Sequence, residues 1–482
     1  MQVNTKVVNE VRKPTRTLSG VTIVAVMTRP TPCPHGRCAY CPGGPEVGTP
    51  QSYIGEEPAL MRALRNGFDP YEQVRDRLKQ YMILGHRPSK VDLIIMGGTF
   101  TAMPLSYRIW FMTNVLEAFN RFPQPKPDKL PSWEEAQARN EVAKIRVVGI
   151  TYETRPDWCD EVHIDEMLYL GGTRVEIGVQ SIFDDVLIRI ERGHSVKDTI
   201  RATRLLKDAG FKIVYHIMPG LPGSDLDRDI EMIKELFSNP DFRPDMLKIY
   251  PTLVIKGTKL YNWWLSGAYD ALSDEEAMEL ISEMYRFIPK WVRVMRVQRD
   301  VPAPIIEAGP RYGNLRELVE KYAISKGIEI REIRFREVGR ALRRGVNLEK
   351  VEITTEYYEA SEGTEVFIAA EDKVNNVIVG LLRLRIPSSK AHRPEIDSRT
   401  AIVRELHVYG PQVPVNSIDP KAWQHRGWGR KLLLTAEEIA RYEFSMNKIV
   451  ILSGIGVREY YRKLGYFRPS NSPYMMKYLN EN

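Results

Sequence analysis

Three of the chain's four cysteines, Cys33, Cys38 and Cys41, fall within the nine-residue run Cys33-Pro-His-Gly-Arg-Cys38-Ala-Tyr-Cys41. Thiols so close together point to metal rather than disulfides, because neighbouring thiolates can share one site and a reducing compartment keeps them free. Three thiolates can ligate three irons of a cubane cluster and leave the fourth iron open. An open iron can chelate the amino and carboxylate groups of S-adenosylmethionine (SAM), and one electron through the cluster then cleaves the sulfonium to a 5′-deoxyadenosyl radical. The same residues admit a second reading, a zinc site with His35 as fourth ligand.

Polar groups recur where apolar runs end. Met96-Gly97-Gly98-Thr99 closes one such run, and the bare backbone of Gly97 and Gly98 would let a ligand come close, although a tight turn alone could also use them. Glu176-Ile177-Gly178-Val179-Gln180-Ser181 closes another and offers an acid, an amide and a hydroxyl, with Gln180 the candidate for the SAM ribose or carboxylate. His216 ends a third run, where packing would account for it equally well.

A second constellation lies far downstream. Arg404-Glu405-Leu406-His407-Val408 reads as a strand, and Gln424-His425-Arg426-Gly427-Trp428-Gly429-Arg430 leads into a helix. A loop of this form presents successive backbone N–H groups and a helix N-terminus to a pyrophosphate, and it can also be a plain loop. The chain then runs through a further strand to Tyr460-Tyr461-Arg462-Lys463-Leu464-Gly465-Tyr466.

Short apolar strands alternating with amphipathic helices must position the first set, which predicts βα units with a parallel sheet, a full or partial barrel, and ligand groups at the strands' carboxyl ends. A proline-rich loop near residues 122–133 interrupts it. The rhythm changes at an arginine-rich stretch, after which strands of antiparallel type follow. The expected divisions are a basic arm over 1–20, a first domain over 21–310, a basic connector over 311–350 and a second domain over 351–482. At 482 residues, two or three units are expected. With 43% hydrophobic and 27% charged residues, composition excludes disorder and a disulfide scaffold. A net charge of +7 suits a polyanionic partner, and a solvated surface of lysines would give the same total. No apolar run is long enough for a membrane span, so a cytoplasmic location is expected.

These motifs carry a resemblance. The cysteine run with Tyr40, the Gly97-Gly98 turn and the strand ends resemble the radical SAM enzymes, although the first gap between cysteines is one residue longer than most of them use. The downstream half resembles the GNAT acetyltransferases. The two joined, with KPTRTLSG, PQSYIGEEPALMRA, ETRPDWC, YPTLVIKGT, IVRELHVYG and YYRKLGY, resemble the catalytic subunit of Elongator from about Lys13 onward. The resemblance implies an α/β fold, a radical SAM partial (β/α) barrel followed by a GNAT-type domain, with a 4Fe–4S cluster on Cys33, Cys38 and Cys41. It implies formation of 5-carboxymethyluridine at the wobble uridine of tRNA, with acetyl-CoA as co-substrate. Acetyl-CoA would meet Lys90, Glu405, Leu406, His407, Val408, Gln424, Gly427, Trp428, Gly429, Arg430 and Tyr461, and Tyr461 would protonate the leaving thiolate. Lys90 also reads as a solvated lysine, and Tyr460 as a packing residue. The anticodon stem-loop of tRNA, an electron donor and either a second copy or accessory subunits are the expected partners. The basic arm and connector are the candidate tRNA contacts. Two other functions remain open at this stage: a protein lysine acetyltransferase with a structural iron–sulfur domain, and a noncatalytic tRNA-binding module.

Overall fold

The computed structural model describes residues 12, 17–410 and 427–479. Seven parallel strands form the first sheet: β1 (Thr22–Met27), β2 (Lys90–Met96), β3 (Arg146–Thr154), β4 (Arg174–Gln180), β5 (Lys212–Ile217), β6 (Met246–Ile249) and β8 (Arg293–Val297). They lie in chain order, so β1 and β8 are its two edges. Every residue of β4 is buried, as a strand covered on both faces requires. A short antiparallel ribbon, β7 (Val254–Ile255) with β9 (Ile306–Ala308), lies apart from the sheet.

The crossover helices start where the sequence supplies caps. Ser195 opens α7 (Val196–Asp208) with a reciprocal capping box to Asp198, and Ser273 opens α10 (Asp274–Met284) in the same way with Glu276. Asp69 accepts from the backbone of Tyr71 and Glu72 at the start of α2 (Pro70–Ile83), whose first position is a proline.

The stretch read as a basic connector contains α11 (Leu315–Ser325), α12 (Ile333–Arg336) and α13 (Val338–Arg343). Leu315, Val319, Ala323, Ile333, Val338 and Ala341 from it join the main core. Its arginines had masked an apolar face of ordinary helical spacing.

The second sheet has six strands: β10 (Glu352–Ala360), β11 (Gly363–Asp372), β12 (Val377–Ile386), β13 (Thr400–Val408), β14 (Lys448–Leu452) and β15 (Tyr474–Tyr478). All neighbours are antiparallel except β13 and β14. That one parallel pair ends at Val403 opposite Ile451, whereas β13 stays paired to β12 as far as Val408. The carboxyl half of β13 therefore leaves β14, and the sheet opens into a V there.

Charges fasten the two sheets together. Asp245 accepts both terminal nitrogens of Arg404, at 2.6 and 2.7 Å, and Asp208 accepts from Arg385 and Ser388. Glu365 bridges Arg404 and Arg385, while Arg383 lies between Asp245 and Glu405. With Lys207, four buried cations meet three buried carboxylates and the partly exposed Glu405. Isolated buried charges are prohibitively costly, so the two domains must stay together for each side to remain paired. Backbone contact reinforces this: a Cβ on Gly454 would overlap the Val148 carbonyl, and one on Gly456 would crowd Arg146.

Candidate active site

The loop after β1 turns the three cysteines inward. Cys38 and Cys41 are buried and Cys33 is half-buried. Each sulfur has a polar neighbour. Cys33 lies 3.6 Å from Thr99 Oγ1 and Cys38 lies 3.2 Å from His35 Nε2, while Cys41 is 3.2 Å from both Ser52 Oγ and Gln51 Nε2. Arg192 Nη1 donates to Cys38 Sγ at 3.6 Å, and Arg155 Nη1 lies 3.1 Å from His35 Nε2. Burial raises the Cys33 and Cys41 thiols, and hydrogen bonds from Thr99 and from Ser52 and Gln51 work against it. Burial, then Arg155 and Arg192, lower His35 to about 3, so its ring is neutral.

Two observations test what this loop could hold. Among the described residues, no three donor atoms drawn from these cysteines and His35 come within 4.8 Å of one another. A zinc ion held at about 2.0–2.3 Å requires donors that converge much more tightly. The sulfurs instead face a shared cavity with two guanidinium groups close by, an environment that fits a larger anionic cluster.

That cavity holds about 740 Å³, and Cys33, Gly98, Glu153, Glu176, Gln180 and His216 are among its lining. Gly97 has φ +137°, and a Cβ there would overlap Thr28 Oγ1. Gly98 has φ +93°, with its Cβ position 3.8 Å from Cys33 Sγ. The glycine pair therefore lets backbone pass beside the cysteine sulfur. Gln180 also adopts a positive φ, 69°, and its Oε1 is buried without a hydrogen-bond partner. An acceptor left open in the cavity wall suits a ligand that brings its own donor.

Below it lies an ionic group that the sequence reading named only in part. Glu176 bonds to His216 Nε2 at 2.9 Å and to the Lys248 ammonium. Burial pushes the Glu176 carboxyl up, but Lys248 and His216 more than reverse this and leave it well below the usual range. Glu153 receives the Tyr53 hydroxyl at 2.9 Å. Burial, opposed by Lys248 and helped by Glu176, raises it to about 7. Arg155, Arg192, Glu153 and Lys248 were all missed as site residues. Glu153 and Arg155 sit inside the ETRPDWC segment, so a strand-end rule applied to β3 would have found them.

The downstream residues gather on the other sheet. Gly427, at φ +78°, caps α14 (Trp428–Glu438), so the backbone of Trp428, Gly429 and Arg430 forms the helix's first turn. Gly429 lies under Tyr460, where a Cβ would come 2.7 Å from the phenol oxygen. Tyr460 thus meets the glycine loop directly as well as stacking edge-on with Tyr461. Tyr461 is itself buried, in α15 (Arg458–Arg462), and burial followed by the neighbouring Tyr460 raises its hydroxyl far above the ordinary value. No hydrogen bond to that hydroxyl occurs among the described residues.

Glu405, Leu406, His407 and Val408 occupy the splayed half of β13. His407 Nε2 meets the Ser19 carbonyl at 2.9 Å, and its ring stacks on Tyr409 at 4.3 Å. Lys90 begins β2 opposite Arg146 of β3, the residue that Gly456 crowds, so it sits at the junction of the two domains. Burial lowers its ammonium, which is not the solvated lysine that sequence context alone favoured. Gln424 and most of the basic arm lie outside the described residues.

The Radical SAM superfamily matches residues 28–236, and the Radical_SAM C-terminal domain matches residues 244–324. The chain is 51% identical to a tRNA uridine(34) acetyltransferase of Methanocaldococcus jannaschii over 97% of this chain and 86% of that protein. It is 47% identical to Elongator complex protein 3 of Schizosaccharomyces pombe, again over 97% and 86%. It belongs to the Elongator complex protein 3 family. A solved structure of archaeal Methanocaldococcus infernus Elp3, with an N-terminus deletion (1-46), superposes with a TM-score of 0.83 at 47% identity, covering 96% of this chain and all of that one. Members of the Elongator complex protein 3 family with this domain are radical SAM enzymes, and the radical SAM fold brings a 4Fe–4S cluster and SAM. The cysteine loop, the glycine pair and the open Gln180 acceptor fit both. No helix among the described residues is long and apolar enough to cross a membrane.

Proposed function

We propose that this enzyme acts on the wobble uridine of tRNA and forms 5-carboxymethyluridine, with acetyl-CoA as the source of the two added carbons. The observation that carries the reading is the shape and charge of the cavity at the cysteines. Its lining runs from the cysteines to residues of both edge strands, and Arg62, Arg296, Arg299, Arg316, Arg334 and Arg340 are part of that wall. Such a wall suits a phosphodiester chain and repels a cationic protein tail. This favours RNA over the lysine acetyltransferase reading. The names of the archaeal relatives support the same substrate.

When bound, the cluster and SAM supply a 5′-deoxyadenosyl radical, which can take a hydrogen atom from the acetyl methyl group. The chain's own residues do the rest. Cys33, Cys38 and Cys41 hold the cluster, and Gly97, Gly98 and Gln180 receive SAM. The first turn of α14 offers the N–H groups of Trp428, Gly429 and Arg430 to the CoA pyrophosphate. The stretch Glu405–Val408, where β13 has parted from β14, meets the pantetheine amides, and Lys90 reaches the same ligand from the junction. Water replaces sulfur on the acyl carbon to give the carboxylate, and Tyr461, held protonated by burial, donates to the departing CoA thiolate. Tyr460, which touches Gly429, orients the pyrophosphate loop. Ser19, bound by His407, links β13 to the segment leading into β1, so the two halves of the reaction share one wall.

The test is anaerobic reconstitution with SAM, acetyl-CoA, reductant and a tRNA bearing uridine 34, followed by mass spectrometry of the nucleosides. Carboxymethyluridine that disappears in Cys38→Ala supports the proposal. Acetylated lysine on a basic peptide, with unmodified tRNA, would favour the acetyltransferase reading instead.

A further inference from the structure

We infer that Arg192 is a potential-setting residue: a fixed positive charge on the Cys38 sulfur that favours the one-electron-reduced form of the cluster, with Arg155 as its second member. The inference rests on the reading of the three cysteines as cluster ligands and adds a role for two cations of the cavity wall.

Arg192 is 7% exposed. Its Nη2 donates to the Gly178 carbonyl at 2.6 Å and its Nη1 to Cys38 Sγ at 3.6 Å. Among the described residues it makes no ion pair with a carboxylate, unlike the buried arginines between the domains. A buried guanidinium cannot shed its proton and needs a counter-charge. The group it meets is the Cys38 sulfur, with Cys33 in the wall of the same cavity.

The surroundings are built to keep this charge in place. A Cβ on Gly178 would overlap Arg192 Nη2, so a glycine is needed for the side chain to reach the loop. Gly193, at φ +76°, lets the backbone after Arg192 pack against the His35 ring. Arg155 donates to the Arg192 carbonyl at 2.8 Å and is held from its other side by Asp157. Of this pair, only Arg155 has its charge matched by an acid.

With three thiolates, a cubane passes from about one to about two net negative units when it accepts an electron. The electron comes from a one-electron reductant of the iron–sulfur or flavin protein class, which is oxidised by one unit. No proton is taken up, because the arginine is already charged in both states. The added negative charge is met by Arg192, which therefore stabilises the product of reduction more than its starting state.

The experiment is a redox titration of the anaerobically reconstituted full chain, followed by electron paramagnetic resonance and without SAM or tRNA, using dithionite and mediator dyes. Iron and sulfide contents are measured on every sample. Arg192→Gln should lower the reduced-to-oxidised ratio at the wild-type midpoint by about tenfold, an order of magnitude set by loss of one adjacent charge and equal to about 59 mV for a one-electron couple. Arg192→Lys should restore most of the wild-type potential, and Arg155→Gln should shift it the same way by less. A fully loaded Arg192→Gln protein with the wild-type midpoint overturns the inference. If that variant loads no iron, an unchanged midpoint in Arg155→Gln overturns it. A wild-type chain that binds no cluster would instead refute the cysteine assignment on which the inference stands.

Discussion

Asp245→Asn is the sharpest probe of how the two halves are joined. The substitution keeps the side chain's shape and removes the charge that Arg404 grips with two hydrogen bonds and that Arg383 and Lys207 also face. Removing one partner from a fully buried pair costs about 3–5 kcal/mol, because the other charges stay buried. If the chain melts as one unit, an unfolding entropy of about 2.1 cal/mol/K per residue gives about 1 kcal/mol/K for its length, and the midpoint falls by about 3–5 °C. Differential scanning calorimetry of the two proteins at pH 7 reads this directly. The acid limb adds a second signature. Burial alone would raise the Asp245 carboxyl, but Arg404, Lys207 and Arg383 hold it well below the usual range. Its contribution is thus complete above the unfolded carboxylate value and is lost as pH falls toward the folded one, so the gap between wild type and variant should close below about pH 4. An unchanged midpoint at pH 7, or a gap that widens in acid, would refute the claim that this network holds the domains.

Glu153 should behave oppositely. Its carboxyl is raised to about 7, so its contribution is present below the unfolded value of 4.5 and lost as pH rises through 7; Glu153→Gln should relieve up to about 3 kcal/mol of this loss in the ligand-free protein, read as a higher midpoint at pH 8 than at pH 5 relative to wild type. Gly97→Ala forces a side chain into a positive-φ position already filled by Thr28 and should cost about 1–3 kcal/mol with at least a tenfold loss of SAM affinity, measured by calorimetry. Arg296→Gln with Arg299→Gln should weaken tRNA binding across sequences and reduce the salt slope by about 1.4–1.8, as loss of two phosphate contacts would. A filter-binding titration from low to moderate salt checks it.

Much of the site was legible because its chemistry is local in sequence. The cysteine run, the Gly97-Gly98 turn and Gly427 are set by spacing and backbone freedom, and each stands at the end of a strand or the start of a helix as its neighbours required. Arg192 was not legible, since an arginine four residues after an amphipathic helix's last apolar side chain looks solvated until the fold brings it to Cys38. Arg383, Arg385 and Arg404 carry no sign of burial in their own segments, because their partners Asp208 and Asp245 lie in the first domain. The splay of β13 from β14 is not readable from hydrophobic pattern, because the alternation Glu405-Leu406-His407-Val408 past the parting point is that of any half-buried strand.

The most direct measurement follows the acetyl methyl hydrogens. With trideuterated acetyl-CoA and unlabelled SAM, the account requires one deuterium in the released 5′-deoxyadenosine and two in carboxymethyluridine before any exchange with solvent. Unlabelled 5′-deoxyadenosine alongside carboxymethyluridine, or carboxymethyluridine carrying none of the label, would contradict it.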